Sequence, residues 1–207
     1  MIRKQGSWTP LLGTIILANI LWFVTFALDF SIFWIKITLS ALTLALISLS
    51  LKPDRAEQLR IDGKAVFIGL VSAAVLYLIF FLGKEISTEI FPFAAHQIGS
   101  VYGKGHGTTM WIIFILLFFI TGPAEEIYWR GYVQDSLMHS LGETKAWLIT
   151  TAIYAGVHLW SFNFMLIAAA GVAGAFWGLM YWRLRTLTPV IISHSVWSAV
   201  IFAVFPL

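Results

Sequence analysis

The chain of 207 residues contains no cysteine. That excludes a disulfide framework, a thiolate metal site and a cysteine nucleophile. Charge is scarce too: only 11% of residues are Asp, Glu, Lys or Arg, against 59% hydrophobic. An average soluble domain is roughly 25% charged and roughly 45–50% apolar. The balance points to a polytopic membrane protein. The net charge of +3 carries no nucleic-acid signal, because the basic residues sit in short loops and form no stripe. No internal repeat or low-complexity tract is present. Arg3 and Lys4 precede an apolar stretch, but no small-residue cleavage site follows it. The first segment therefore reads as a retained helix and not as a signal peptide.

What is abundant is long apolar runs. A helix needs about 20 predominantly apolar residues to span the hydrocarbon. The sequence predicts an all-α, polytopic fold of about seven transmembrane helices: 10–28, 31–51, 65–83, a fourth from Thr109 to near Val133, then 146–160, 164–182 and 188–204. Lys36 lies near the start of the second span, where it can snorkel. Residues 84–108, interrupted by Pro92 and several glycines, suit a short interfacial helix using Ile86, Ile90 and Phe91. The whole chain reads as one membrane domain, 1–207, with a chemical core over 109–207. Trp8, Trp111, Trp147, Trp160 and Trp182 fall near span ends, as interfacial anchors do. Gly171, Gly174 and Gly178 suit close helix packing. The polar connection 52–64 reads as a cytoplasmic loop whose basic residues meet anionic headgroups.

Five positions break the apolar pattern: Glu125, Glu126 and Arg130 in "TGPAEEIYWRGYV", His158 in "AIYAGVHLW" and His194 in "PVIISHSVWSAV". A charge at a helix centre costs about 2.5–3.5 kcal/mol even on the lenient insertion scale. These groups must face a bundle interior or a wet cavity. At about 1.5 Å per residue, Glu125 is expected about 12 Å from the inner surface, His158 about 18 Å and His194 about 9 Å, all in the cytoplasmic half. Glu126 and Arg130, at i and i+4, suit an orienting ion pair. Glu125 is then left to face the two histidines. Pro123 weakens the helical ladder and can open the span to water. Tyr154, four residues before His158, reads as packing beside the site. Asn19 and Asp29 read as interhelical or interfacial bonds, and His96, His106 and His139 as solvated. A carboxylate and two imidazoles around a water can hydrolyse a bond through a general base and an oxyanion donor. The same three groups can instead ligate a metal with an open position.

These residues also carry a family resemblance. "EEIYWR" resembles the Glu-Glu-x-x-x-Arg motif of the CPBP (CAAX protease and bacteriocin-processing, or Abi) intramembrane proteases, "YAGVH" that family's second motif, and "HSVWS" its third, His-x-x-x-Asn. Order and placement on three successive segments are similar as well, over roughly Thr109 to Leu207. The resemblance implies a helical membrane fold with a cytoplasm-facing polar cavity. It implies hydrolysis of a peptide bond, with Glu125 activating water beside His158 and His194 stabilising the oxyanion. Members are called metalloproteases, with a divalent metal such as zinc held by Glu125, His158 and His194, or they work without metal. The implied partners are membrane lipids and a peptide or lipidated (prenylated) protein substrate, with no nucleic acid. The third motif's Asn is Ser198 here. A hydroxyl is shorter and offers one donor, and losing one oxyanion donor costs roughly 3–4 kcal/mol in a protease. A non-catalytic immunity or scaffold protein on the same fold therefore stands beside the enzyme. A transporter or proton relay is a third reading, though it expects broken helices in two corresponding halves.

Lys and Arg set the orientation. With the N-terminus inside, the inner segments hold Arg3, Lys4, Lys52, Arg55, Arg60, Lys64, Arg130, Lys145, Arg183 and Arg185, and the outer ones only Lys84 and Lys104. The N-terminus is expected in the cytoplasm and the C-terminus outside. A reporter fused after Leu207 is expected to be active when it requires the extracytoplasmic side. A fusion active only in the cytoplasm overturns seven spans, and the repair would be one further span within residues 84–108.

Overall fold

The computed structural model describes residues 8–52 and 56–207. Arg3, Lys4 and Arg55, three of the cations expected inside, lie outside the described residues. The fold is all-α, with no strand among the described residues. The helices are α1 (Trp8–Ala27), α2 (Phe33–Leu51), α3 (Gly63–Ile90), α4 (Ala94–Gly103), α5 (Met110–Leu141), α6 (Glu143–Val157), α7 (Phe164–Leu184) and α8 (Thr188–Val204). Five of them, α1, α2, α3, α5 and α7, are long and apolar enough to cross a membrane. The two remaining expected spans, α6 and α8, are shorter.

Large apolar side chains cover the outside of the bundle, among them Ile16, Leu46, Phe67, Leu78 and Phe119. Water would not tolerate such a surface over so many residues; lipid tails do. The interior instead collects Trp22, Trp129, Trp177, Tyr128, Tyr181 and Arg130, all almost fully buried. The pairings α3 with α8, α6 with α7, α1 with α2 and α2 with α5 build most of the bundle. At Gly69 a Cβ would stand 2.7 Å from Ile192, so this glycine sets the approach of α3 to α8. The glycines of α7 behave similarly. A Cβ at Gly174 would meet Tyr154 at 2.9 Å, and one at Gly178 would meet Trp147 at 2.9 Å. Gly171 has more room, 3.8 Å to Ala155.

Four expectations change. First, α3 does not stop at Gly83 but runs to Ile90, where Pro92 follows. Its 28 residues span roughly 42 Å at about 1.5 Å per residue, enough to carry Lys84, Glu85 and Glu89 into the headgroup layer. Ile86 and Ile90 therefore belong to α3, and the short separate helix is α4. Second, α5 continues eight residues past Val133 to Leu141, where Gly142 ends it with a positive φ of 82° that favours glycine. The polar residues that suggested an earlier end are satisfied inside the bundle: Gln134 donates to the Gly178 carbonyl at 2.8 Å, and Tyr181 donates to Asp135 at 3.0 Å. Lys52 pairs with Asp135 as well. Third, Pro123 leaves no gap. A π-helical turn over Leu116–Thr121 precedes it, and the helix runs through. A second π-helical turn, Trp129–Gln134, follows the glutamates. Fourth, Arg130 is buried within the bundle and is not an inner-loop cation.

The two ends of the bundle are sorted by their contacts. At one end Leu187 N–H donates to the Gln58 carbonyl, and Lys52–Asp135 and Arg185–Glu143 pair. At the other, Lys104 lies over the Phe26 and Phe33 rings, Asn163 bonds the Gln97 carbonyl, and Leu207 N–H donates to Tyr102.

Gly178→Val is expected to lower the thermal midpoint of the purified protein. The added volume strikes Trp147 and Gln134, and overpacking of this kind costs about 1–3 kcal/mol. Gly13→Val, where a Cβ meets open space, is the matched control and should melt like the parent.

Candidate active site

Glu125 and Glu126 sit on the α-helical turn between the two π-helical segments of α5. Such bulges cluster at functional sites because they re-aim side chains without breaking the helix. The two carboxylates point to different partners. Glu126 Oε1 accepts from Arg130 Nη1 at 2.8 Å and faces His194 Nδ1 at 2.7 Å. Arg130 also donates from Nη2 to the Gly174 carbonyl at 3.2 Å, and its guanidinium lies over the Tyr154 and Trp177 rings. Glu126 and Arg130 are both fully buried. The expected i, i+4 geometry is present, with His194 added to it as a third member.

Glu125 accepts a hydrogen bond from the Tyr154 hydroxyl at 2.9 Å through Oε2. Tyr154 is thus more than packing. The signal was its spacing, since a residue four before His158 shares its helical face. His158 closes the last turn of α6, at the start of a 3-10 turn. Its Nδ1 meets the Tyr154 carbonyl at 2.7 Å, and its Nε2 accepts from Trp22 Nε1 at 3.3 Å. Sequence reasoning gave no role to Trp22, because nothing local on α1 links it to a histidine 136 residues away. Trp177 was missed for the same reason. Its ring stacks on His194 at 3.8 Å between centroids, 15° from parallel, while its Nε1 donates to Ser193.

Glu125, Tyr154, His158, His194 and Ser198 all line one cavity of about 560 Å³. Ligand pockets commonly measure about 300–1,000 Å³. Most of the remaining wall is apolar, from residues such as Phe26, Phe33, Ile37, Phe80, Trp177 and Trp197. Glu126 and Arg130 do not line it; they stand behind His194 and Tyr154. Lys84 and Lys104 reach the rim. Burial, followed by the neighbouring Lys36, lowers the proton affinity of the Lys104 amine. The polar groups lie along one part of a largely apolar chamber, which differs from the polar cavity expected.

The depth also differs. Because α5 ends at Leu141, Glu125 lies roughly 24 Å from that end of its helix, near its middle. It is not in the half nearest the Lys/Arg-rich loops. His194 is near the start of α8, but Leu187 and Thr188 are themselves buried, so that helix begins inside the protein.

The donor set does not fit a three-ligand metal site. Among the described residues no group of three His, Asp or Glu side chains is arranged to hold an ion. Both nitrogens of His158 are engaged, so it offers no free lone pair, whereas His194, with Nδ1 on Glu126, is engaged at one nitrogen only. Of the remaining polar residues, Asn19 accepts from Trp160 at 3.3 Å, and His139 contacts the Asp135 carbonyl on a half-exposed turn.

Residues 107–200, a little under half of the chain, match the model of a family described as Rce1-like, type II CAAX prenyl endopeptidase Rce1-like. No curated protein and no solved structure matches the chain. The matched stretch holds Glu125, Glu126, Arg130, His158, His194 and Ser198. It agrees with the resemblance to CPBP intramembrane proteases and supports a hydrolase of the protease class. Together with the apolar helices it makes this a multi-pass membrane protein.

Arg130→Ala is expected to cut folded yield sharply, because it strands Glu126 where no water reaches. Removing one partner of a buried pair costs about 3–5 kcal/mol. The double change Glu126→Gln, Arg130→Leu is expected to recover part of that yield. Size-exclusion profiles and melting curves check both, and an Arg130→Ala protein that melts like the parent refutes the buried-pair account.

Proposed function

We propose that this chain, similar over residues 107–200 to type II CAAX prenyl endopeptidases, is an intramembrane endopeptidase. It hydrolyses a peptide bond of a hydrophobic or lipidated, membrane-associated peptide or protein. The observation that carries the reading is the largely apolar chamber whose lining includes Glu125, Tyr154, His158, His194 and Ser198. Apolar lining suits a greasy substrate. The polar residues among it suit the bond that must meet water.

In this reading Glu125 is the general base. The Tyr154 hydroxyl holds Oε2, which leaves Oε1 to take a proton from water as the water oxygen attacks the carbonyl carbon. The carbonyl oxygen becomes an oxyanion. His194, held at Nδ1 by Glu126, turns its Nε2 edge to the oxyanion as the donor. Ser198, one turn further along α8, adds its hydroxyl from the same face. Glu125 then returns the proton to the leaving nitrogen as the carbon–nitrogen bond breaks, and an amine and a carboxylic acid depart. His158 has both nitrogens engaged, so it orients water or substrate by yielding its long bond to Trp22, and is not a second base. Glu126 and Arg130 are positioning residues. Ser198 in place of the family's Asn favours one alternative, a non-catalytic immunity or scaffold protein on this fold.

Glu125→Gln, His158→Ala and His194→Ala are each expected to abolish cleavage and leave folded protein in the membrane. The assay uses purified protein with a library of hydrophobic and lipidated peptides, read by mass spectrometry for a new terminus. Tyr154→Phe is expected to slow the reaction by about 10-fold or more, as loss of one orienting hydrogen bond to a charged group does. Ser198→Asn should hold or raise activity. Cleavage by Glu125→Gln at the parent's rate would sink the catalytic assignment. A parent that cuts nothing across the library moves the scaffold reading ahead.

A further inference from the structure

The chamber and the basic loops occupy opposite ends of the bundle. The chamber runs from Glu125, at the middle of α5, to the end where α1 meets α2, α3 meets α4, and α6 meets α7; Phe26, Phe33, Phe91, Lys104, Phe164 and Leu207 all line it. That end carries Lys36, Lys84 and Lys104. The other end, among the described residues, carries Lys52, Arg60, Lys64, Lys145, Arg183 and Arg185. No lining residue comes from those basic connections. The contacts that tie each end together leave no ambiguity about which loops share a side: Lys104 over Phe26 and Phe33, and Asn163 on Gln97, against Arg185 on Glu143 and Leu187 on Gln58.

Lys and Arg in short loops are retained in the cytoplasm. A basic end therefore faces inward, and the chamber faces outward. A cytoplasmic N-terminus and a cytoplasm-facing chamber, both expected above, exclude one another on this fold. The charge distribution decides between them.

We propose that the chamber opens on the extracytoplasmic face and takes its substrate there. This rests on the endopeptidase reading for what is done to the substrate, but not for the side on which the chamber opens. The substrate class narrows accordingly, to hydrophobic or lipid-anchored peptide segments displayed on the outer face. The reaction that supplies them must be a translocation step, since a peptide still in the cytoplasm meets only the basic, closed end. Cleavage comes after export.

The absence of native cysteine makes the test clean. Single cysteines are placed at Glu89 and His96 on the chamber end, at Lys145 and Arg183 on the basic end, all exposed, and at Ile98 within the chamber wall. Intact cells are treated with a membrane-impermeant maleimide, with permeabilised cells as the reference. Glu89→Cys and His96→Cys should reach more than about 10-fold higher labelling in intact cells than Lys145→Cys and Arg183→Cys, which should label only after permeabilisation. Ile98→Cys should react in intact cells with a small, charged thiosulfonate. The reverse pattern overturns the proposal, and so does equal labelling of both ends in intact cells. None of these readouts needs catalysis. An inactive protein with the expected labelling would sink the endopeptidase reading and leave the orientation standing; an active one with reversed labelling would do the opposite.

Discussion

One carboxylate organises the middle of this bundle. Glu126 holds Arg130 and His194 through the same oxygen, at 2.8 and 2.7 Å, with no exposure to solvent. An isolated buried carboxylate is costly in an apolar interior. With Arg130 on one side and an imidazole on the other, the charge is matched and three helices are tied together. Arg130 reaches on to the Gly174 carbonyl of α7, and His194 brings in α8. The glycine is required for this, because a side chain at 174 would strike Tyr154. A buried ion pair of this type is weak support for net stability; what it does here is link α5 to α7 and α8. Glu125, one residue earlier and about 100° around the helix, meets Tyr154 and the chamber.

Two kinds of polar residue therefore occupy one short stretch of α5. Glu126, Arg130 and Gln134 lie on a face that satisfies itself against carbonyls and charges of neighbouring helices. Glu125 lies on the face that meets the chamber. π-helical turns flank this stretch on either side, over Leu116–Thr121 and Trp129–Gln134. Trp22, Phe26 and Tyr154 pack their rings around His158, and Trp177 stacks on His194, which narrows the side-chain orientations open to both. Preorganisation of this kind is what stabilisation of a developing oxyanion demands.

The all-α class, the apolar spans, the Glu126–Arg130 pair and the clustering candidates Glu125, His158, His194 and Ser198 were legible along the chain. Each depends on local quantities: hydropathy over about 20 residues, the i, i+4 spacing, and the cost of a charge in lipid. Helix ends were less legible. α3 and α5 run on past their expected ends because Lys84 and Glu85 can stand in the headgroup layer, and Gln134 and Asp135 find partners on α7. A polar residue looks like a helix end until its partner is known.

Which histidine meets which glutamate was decided only by tertiary packing. Adjacent residues 100° apart can be assigned to two faces from sequence, but the rotation of α5 against α6 and α8 selects the partner. The structure gives His194 to Glu126 and Tyr154 to Glu125. Trp22 and Trp177 touch the histidines across long sequence separations, so no local pattern announces them. The chamber belongs to the same class of facts. Sequence alone determines that the cations collect in one set of loops, because the count depends only on the order of spans. The end at which the chamber lies depends on how helices of unequal length pack, and only the folded chain settles that.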